Sequence, residues 1–170
     1  MITIPNILIV DDESQNIELA KIILLKEGYH LHFASNGQEA LAIIETIKID
    51  VMLLDLFMPI MDGFQTLTEL KNPIYNKPLI IVVTAYSDQN SHTQALKNGA
   101  NDVMIKPYDI IELKTRVKKM LDIALNTKED KNYDYDAVKT ITQKLLEEVH
   151  KHHDTISKQE LLQLFEKSIF

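Results

Sequence analysis

Asp11, Asp12, Asp55, Thr84 and Lys106 are the side chains of this 170-residue sequence whose types could act together on one small anion. Three carboxylates brought close repel one another and have raised pKa values unless a cation sits among them. A hard divalent cation such as Mg²⁺ takes oxygen ligands, keeps several waters, and accepts one or two carboxylates beside phosphate oxygens. No histidine or cysteine belongs to the set, so nothing in it favours zinc; the chain has no cysteine at all, which also excludes disulfide scaffolds and thiol nucleophiles. An aspartate can attack phosphorus and become an acyl phosphate. That transfer asks mainly for positioning and for neutralisation of the equatorial oxygens, which a divalent cation, a lysine and a hydroxyl supply. The set fits transfer of a phosphoryl group onto an aspartate. Taken singly, each residue has a plainer use: the aspartates as helix N-caps, Thr84 as a strand-end hydroxyl, Lys106 as a solvated charge.

Bringing these residues together requires elements that end where they stand. Residues 7–10, 51–54 and 79–83 are short, continuous apolar runs rich in branched side chains, the pattern of strands buried on both faces. Strands are also expected near 30–34 and 102–105. Between them the spacing predicts amphipathic helices. The first covers about residues 15–27, with Ile17, Ala20, Ile23 or Leu24 and Glu27 around a helical turn and Gly28 at the C′ position. The second opens at Ser35, with Gln38 at capping-box spacing, and carries Ala40, Leu41, Ile44 and Ile47. A third covers about residues 63–70 and a fourth about 90–98, with Gly99 behind it. A fifth starts near Asp109 and sets Ile110, Leu113, Val117, Leu121 and Ala124 on one face. Five βα units with buried strands imply an α/β fold, a parallel sheet covered by helices on both sides through right-handed crossovers. Its ligand site lies at the carboxyl ends of the strands, where Asp11 and Asp12, Asp55, Thr84, and Lys106 with Pro107 all stand. Met52, Met58, Met61 and Met104 read as core and loop packing.

Composition narrows the classes. Hydrophobic residues make up 45% and charged residues 25%, ordinary for a soluble globular protein, and the length suits one domain with an appendage. The net charge of −7 argues against nonspecific binding to nucleic acid or anionic membranes. Arg116 is the one arginine, so a DNA reader would lack its usual tool for guanine and phosphate. No apolar run approaches the ~18 residues of a membrane span. Residues 1–10 lack a basic leading region and run straight into Asp11, Asp12 and Glu13, so they read as a strand and not as a signal segment. A cytoplasmic protein is expected.

From about residue 5 to 125 the sequence resembles the receiver domain of bacterial two-component response regulators. The resemblance rests on Asp11-Asp12, on Asp55-Leu-Phe-Met-Pro-Ile-Met-Asp-Gly63, on Thr84-Ala85 and on Lys106-Pro107, in this order and each at a strand end. It implies a flavodoxin-like, doubly wound five-stranded parallel sheet in the order 2-1-3-4-5, flanked by five helices. It implies that Asp55 is the phosphoacceptor and that Mg²⁺, or Mn²⁺ in its place, is bound by Asp12 directly and by Asp11 through water. The main-chain carbonyl of Phe57 would complete the metal's protein ligands. Thr84 and Lys106 would contact the phosphoryl oxygens, the Lys106–Pro107 bond would be cis, and Pro59 and Gly63 would shape the loop and the helix start after Asp55. The donor would be a phosphohistidine on a sensor histidine kinase or histidine phosphotransfer protein. Phosphorylation would then shift an existing equilibrium between surface arrangements, read out around helices four and five.

Two positions depart from the family's commonest pattern. Three residues before Lys106 such domains often carry an aromatic ring that swings inward with the threonine; here stands Val103, although Tyr86, two residues after Thr84, could supply a ring nearby. Phe57 and Tyr86 also border the path of the water that hydrolyses the acyl phosphate, and neither is an acid or amide able to orient it. Slow self-dephosphorylation is the expected consequence. Replacing Phe57 with Asn and Tyr86 with Glu should speed phosphate loss in a hydrolysis time course; an unchanged rate would rule the idea out.

Residues 126–133 read as a linker or a continuation of the fifth helix. Beyond them, Val138, Ile141, Leu145 and Val149 form an apolar stripe, and Ser157 with Glu160 opens a helix carrying Leu161, Leu162, Phe165 and Ile169. The expected organisation is a receiver over 1–125 and a C-terminal α-helical hairpin over 134–170, near the size where independent folding becomes difficult. Residues 126–170 hold seven lysines against nine acids, a net charge of −2. That charge counts against a DNA-binding output, while the apolar stripes must bury on each other, on the receiver or on another protomer. The expected partner is a protein or a homodimer, through the helix 4/5 face or the tail, with no nucleic acid and no membrane. His150, His152 and His153 read as a solvated helix end in preference to a metal or phosphoacceptor site. The expected function is a signalling switch that catalyses only its own phosphorylation and dephosphorylation and is otherwise not an enzyme. Its rivals are a phosphatase with an aspartate nucleophile, which would want an acid where Phe57 stands, and a pseudo-receiver that binds partners unphosphorylated.

Overall fold

Strands and helices alternate strictly in the computed structural model, which describes residues 4–85 and 88–130, of 125–130 the backbone alone. Strands β1 (Asn6–Val10), β2 (His30–Ala34), β3 (Val51–Leu54), β4 (Leu79–Thr84) and β5 (Asp102–Ile105) form one parallel sheet in the order β2-β1-β3-β4-β5. Helices α1 (Ser14–Leu25), α2 (Gly37–Thr46), α3 (Gly63–Glu69), α4 (Gln89–Lys97) and α5 (Ile110–Asp130) connect and follow them. This is the flavodoxin-like arrangement expected from the sequence. The chain divides into two units, Met1–Thr127 and Lys128–Phe170. Of segment 126–133, residues 126–130 continue α5. Tyr86, the expected C-terminal helices and His150, His152 and His153 lie outside the described residues.

Alternation of side chains along each strand divides the core in two. Leu8, Val10, Met52, Leu54, Ile80 and Val82 face the side covered by α2, α3 and α4, packing with Ala40, Leu41, Leu67 and Ala95. Ile7, Ile9, Val51, Leu53, Ile81 and Val83 face α1 and α5, packing with Ala20, Leu24, Leu113 and Val117. Strands β1, β3 and β4 are buried almost throughout, whereas β2 and β5, at the sheet edges, are partly exposed. Each buried aliphatic side chain contributes roughly 1.5–3 kcal/mol, so the strand ends are anchored in the most buried part of the domain. Met52, Met58 and Met104 are buried and Met61 packs on the same core, as their reading required. Among the described residues no helix is long and apolar enough to cross a membrane.

Local details differ from expectation where side-chain chemistry decided between close alternatives. The cap of α2 is Asn36, whose side chain accepts from the Glu39 N–H at 3.0 Å, while Glu39 Oε2 accepts from both Ser35 N and Ser35 Oγ at 2.8 Å. Ser35 with Gln38 therefore gives way to the pair one residue on, because asparagine is an equally good cap and a glutamate is there to reach back. Helix α1 ends at Leu25 with Lys26 as its C-cap, so Gly28, at φ 79°, falls one residue beyond C′. Glu27 lies outside the helix and pairs with Lys114 of α5 at 2.7 Å. Ile110 is 57% exposed, whereas Leu113, one turn on, and Met120 are buried in the core.

Candidate functional site

The carboxyl ends of β1, β3 and β5 open onto one cleft of about 280 Å³, lined by Asp12, Glu13, Asn16, Asp55, Phe57, Ala85 and Lys106. Asp11 follows β1 and Asp55 follows β3. Their positions are set by the sheet, since Asp11 N donates to Ala34 O at 3.1 Å and Asp55 N to Val10 O at 2.9 Å. Carboxylate oxygens of Asp11, Asp12 and Asp55 lie within 4.8 Å of one another. Asp11 is buried and Asp55 nearly so, while Asp12 is exposed.

Lys106 ties this cluster together. Its backbone N–H donates to Thr84 O at 2.8 Å, which places the residue at the end of β5 beside β4. Its Nζ donates to Asp11 Oδ2 at 2.5 Å and to Asp55 Oδ2 at 2.7 Å. The second oxygens are also held: Asp11 Oδ1 by Glu13 N and Asn16 Nδ2, each at 3.0 Å, and Asp55 Oδ1 by Leu56 N at 2.6 Å. Burial pushes the Asp55 carboxyl above its ordinary pKa; the hydrogen bond and charge of Lys106 pull it down without cancelling that effect, and Asp11 adds to the rise. For Lys106, burial disfavours the ammonium, but the bonds to Asp11 and Asp55 outweigh it and hold the pKa above the usual lysine value. The lysine therefore stays charged.

The loop after Asp55 is shaped by contacts with α2 and α3. Met61 N donates to Pro59 O at 2.8 Å around Ile60, whose φ of 70° is unusual for a β-branched residue. Gly37 N, at the start of α2, donates to Met61 O at 2.9 Å. Asp62 and Gln65 form a capping box that starts α3. Gly63 then passes so close to the end of β3 that an added Cβ would lie 2.3 Å from Asp55 O and 2.8 Å from Leu56 Cα. Phe57 is 45% exposed at the cleft, its ring edge-to-face with Phe64 at a centroid distance of 6.3 Å.

Asp11, Asp12, Asp55, Lys106 and Phe57 are thus gathered at one place. Thr84 closes β4 next to them with its side chain fully buried, and it is Ala85 that lines the cleft. Val103 is half-buried against the core on the α4 side. The Lys106–Pro107 peptide is cis. Glu13 and Asn16 were not among the residues singled out from sequence. Their signal was available, since polar side chains one and four residues after Asp12 fall on the first turn of the helix that begins there. The donor set is all oxygen, three carboxylates with one ammonium bridging two of them, and it fits a hard divalent cation better than zinc.

Known proteins resemble this chain over the same region. The family model described as "Response regulator receiver domain" matches residues 7–118. "Regulatory protein AtoC" of Escherichia coli (strain K12) is 37% identical over 129 residues, covering 76% of this chain and 28% of that protein. "Transcriptional regulatory protein SrrA" of Staphylococcus aureus (strain NCTC 8325 / PS 47) is 38% identical over 115 residues, covering 68% of this chain and 47% of that one. The chain thus matches less than half the length of these curated relatives. Among solved structures, a CheY-like response regulator receiver domain protein from Methanospirillum hungatei JF-1 superposes with a TM-score of 0.68 at 30% identity, covering 74% of this chain and 99% of that one.

Proposed function

This chain belongs to the response regulator receiver domain family, and from that premise we propose that it accepts a phosphoryl group from a phosphohistidine onto Asp55 in the presence of Mg²⁺. The observation that carries the reading is the bridge of Lys106 between Asp11 and Asp55, beside three carboxylates whose oxygens lie within 4.8 Å. Asp11, Asp12 and the main-chain carbonyl of Phe57 would hold the cation, which when bound neutralises phosphoryl oxygens. One Asp55 oxygen forms the new P–O bond as the P–N bond of the donor breaks; the electron pair leaves on the imidazole nitrogen, which takes up a proton. Lys106 turns from the carboxylates to the phosphoryl oxygens, and the Thr84 hydroxyl moves toward them. The pull on Lys106 and Thr84, joined through the backbone bond at the ends of β5 and β4, is what shifts the surface equilibrium.

On this reading the protein turns over no separate substrate: it catalyses its own phosphorylation and dephosphorylation and works in the cytoplasm. The donor is a sensor histidine kinase or histidine phosphotransfer protein. The output is a protein partner or a second copy: the net charge of −2 over residues 126–170 counts against DNA, and the apolar stripes there call for a surface to bury on. Incubation with a small phosphodonor and Mg²⁺, followed by intact mass, is expected to add one phosphoryl group, and chelation of the cation is expected to prevent it. Equal phosphorylation with and without the chelator would remove the cation from the proposal.

A further inference from the structure

Helix α1 begins without the cap that its neighbours have. Asn36, Asp62 and Asp88 each accept a first-turn backbone N–H of α2, α3 and α4. The N-cap of α1 is Glu13, whose side chain makes no such bond. Glutamate is not a favoured N-cap, and forgoing the cap weakens the start of a helix. The Glu13 carboxylate is engaged elsewhere: its Oε2 accepts from Asn16 Nδ2 at 3.2 Å. The same Nδ2 donates to Asp11 Oδ1 at 3.0 Å, where the Glu13 backbone N–H also converges at 3.0 Å. With Lys106 on Asp11 Oδ2, the Asp11 carboxylate is gripped at both oxygens. Glu13 and Asn16 both line the cleft. A local rule of helix formation is broken where the side chains serve the site instead.

We propose that Asn16 is a positioning residue of the divalent-cation site, fixing the Asp11 carboxylate and holding the Glu13 carboxylate at the mouth of the cleft as a fourth negative group facing the hydrated cation. The proposal rests on the reading above, in which Asp11 and Asp12 hold Mg²⁺. A neutral amide suits the role, because it satisfies carboxylate oxygens without bringing a positive charge that would repel the cation. Glu13 stands outside the three acids whose oxygens come within 4.8 Å, so its charge would act on a bound cation from outside that ligand set. Hydrogen-bond partners of ligating groups typically account for a tenfold to hundredfold difference in metal affinity.

The test is a titration of the isotope-labelled full chain with Mg²⁺ alone, followed by amide chemical shifts. Asn16→Ala, a change that favours the helix, is expected to raise the dissociation constant about tenfold, and Asn16→Gln, which retains an amide, to recover part of the loss. Glu13→Gln is expected to weaken binding in the wild-type background and to have little further effect once Asn16 is alanine, the signature of two residues acting as one unit. A constant for Asn16→Ala within twofold of wild type overturns the proposal, as does a Glu13→Gln effect of equal size in both backgrounds. Absence of any Mg²⁺-dependent shift in the wild type overturns the cation reading itself, and this proposal with it.

Discussion

Asp55→Asn is expected to accept no phosphoryl group under conditions in which the wild type gains one, while keeping its fold. The amide has the shape of the carboxylate but no nucleophilic oxygen anion, and Lys106 retains its bond to Asp11. A second effect has the opposite sign. Asp55 titrates above its ordinary value in the folded chain, chiefly because it is buried. A group whose folded pKa is raised binds more protons when folded than when unfolded, so stability falls as pH rises through that pKa. Above it the wild type carries the cost of an ionised buried acid, and the asparagine variant does not. With divalent ions chelated, Asp55→Asn should therefore unfold at a higher urea concentration at neutral pH, and the gap should close as pH falls toward the carboxylate range. Loss of phosphorylation with lower stability at neutral pH would mean that the ion pair with Lys106 outweighs burial.

Gly63→Ala is expected to be strongly destabilising. The added carbon would sit 2.3 Å from Asp55 O and 2.8 Å from Leu56 Cα. Both are backbone atoms just after β3, so no side chain can swing aside. Gly63 N also donates to Leu56 O at 2.8 Å, and a recoil of α3 breaks that bond. The expected cost is about 3 kcal/mol, at the upper end of overpacking effects, read as a fall in the urea midpoint. Because Asp55 must move with its carbonyl, phosphorylation should slow as well, on the order of a hundredfold for a displacement near 1 Å. A variant as stable and as fast as wild type would show that α3 can stand off from β3 without consequence.

How much of this was legible in the sequence depends on the kind of interaction involved. The strands β1, β3 and β4 were readable because a strand covered on both sides must be apolar at every position, and residues 7–10, 51–54 and 79–83 are. Their carboxyl ends then placed Asp11, Asp55 and Thr84 without further information. The α2 cap was misread by one residue because Ser35-Asn36-Gly37-Gln38-Glu39 offers two capping pairs, and only the side-chain geometry chooses Asn36 with Glu39. The exposed Ile110 was misplaced for a different reason: helical periodicity predicts a face but not at which residue its burial begins, and here it begins at Leu113. The position of Asn16, four residues after Asp12, could have suggested a place near the cleft, but its role could not be read, because that lies in one rotamer reaching two carboxylates. The positive φ of Ile60 was equally hidden, since a β-branched residue is among the last that sequence would assign to that conformation.

The central claim is that one aspartate, at the end of β3, takes the phosphoryl group. The most direct measurement is to phosphorylate the full chain with a small donor and Mg²⁺, reduce the acyl phosphate with borohydride, and map the product by peptide mass spectrometry. The account predicts a single homoserine in place of Asp55. Modification at Asp11, Asp12 or a histidine, or a chain that takes up no phosphoryl group at all, would contradict it.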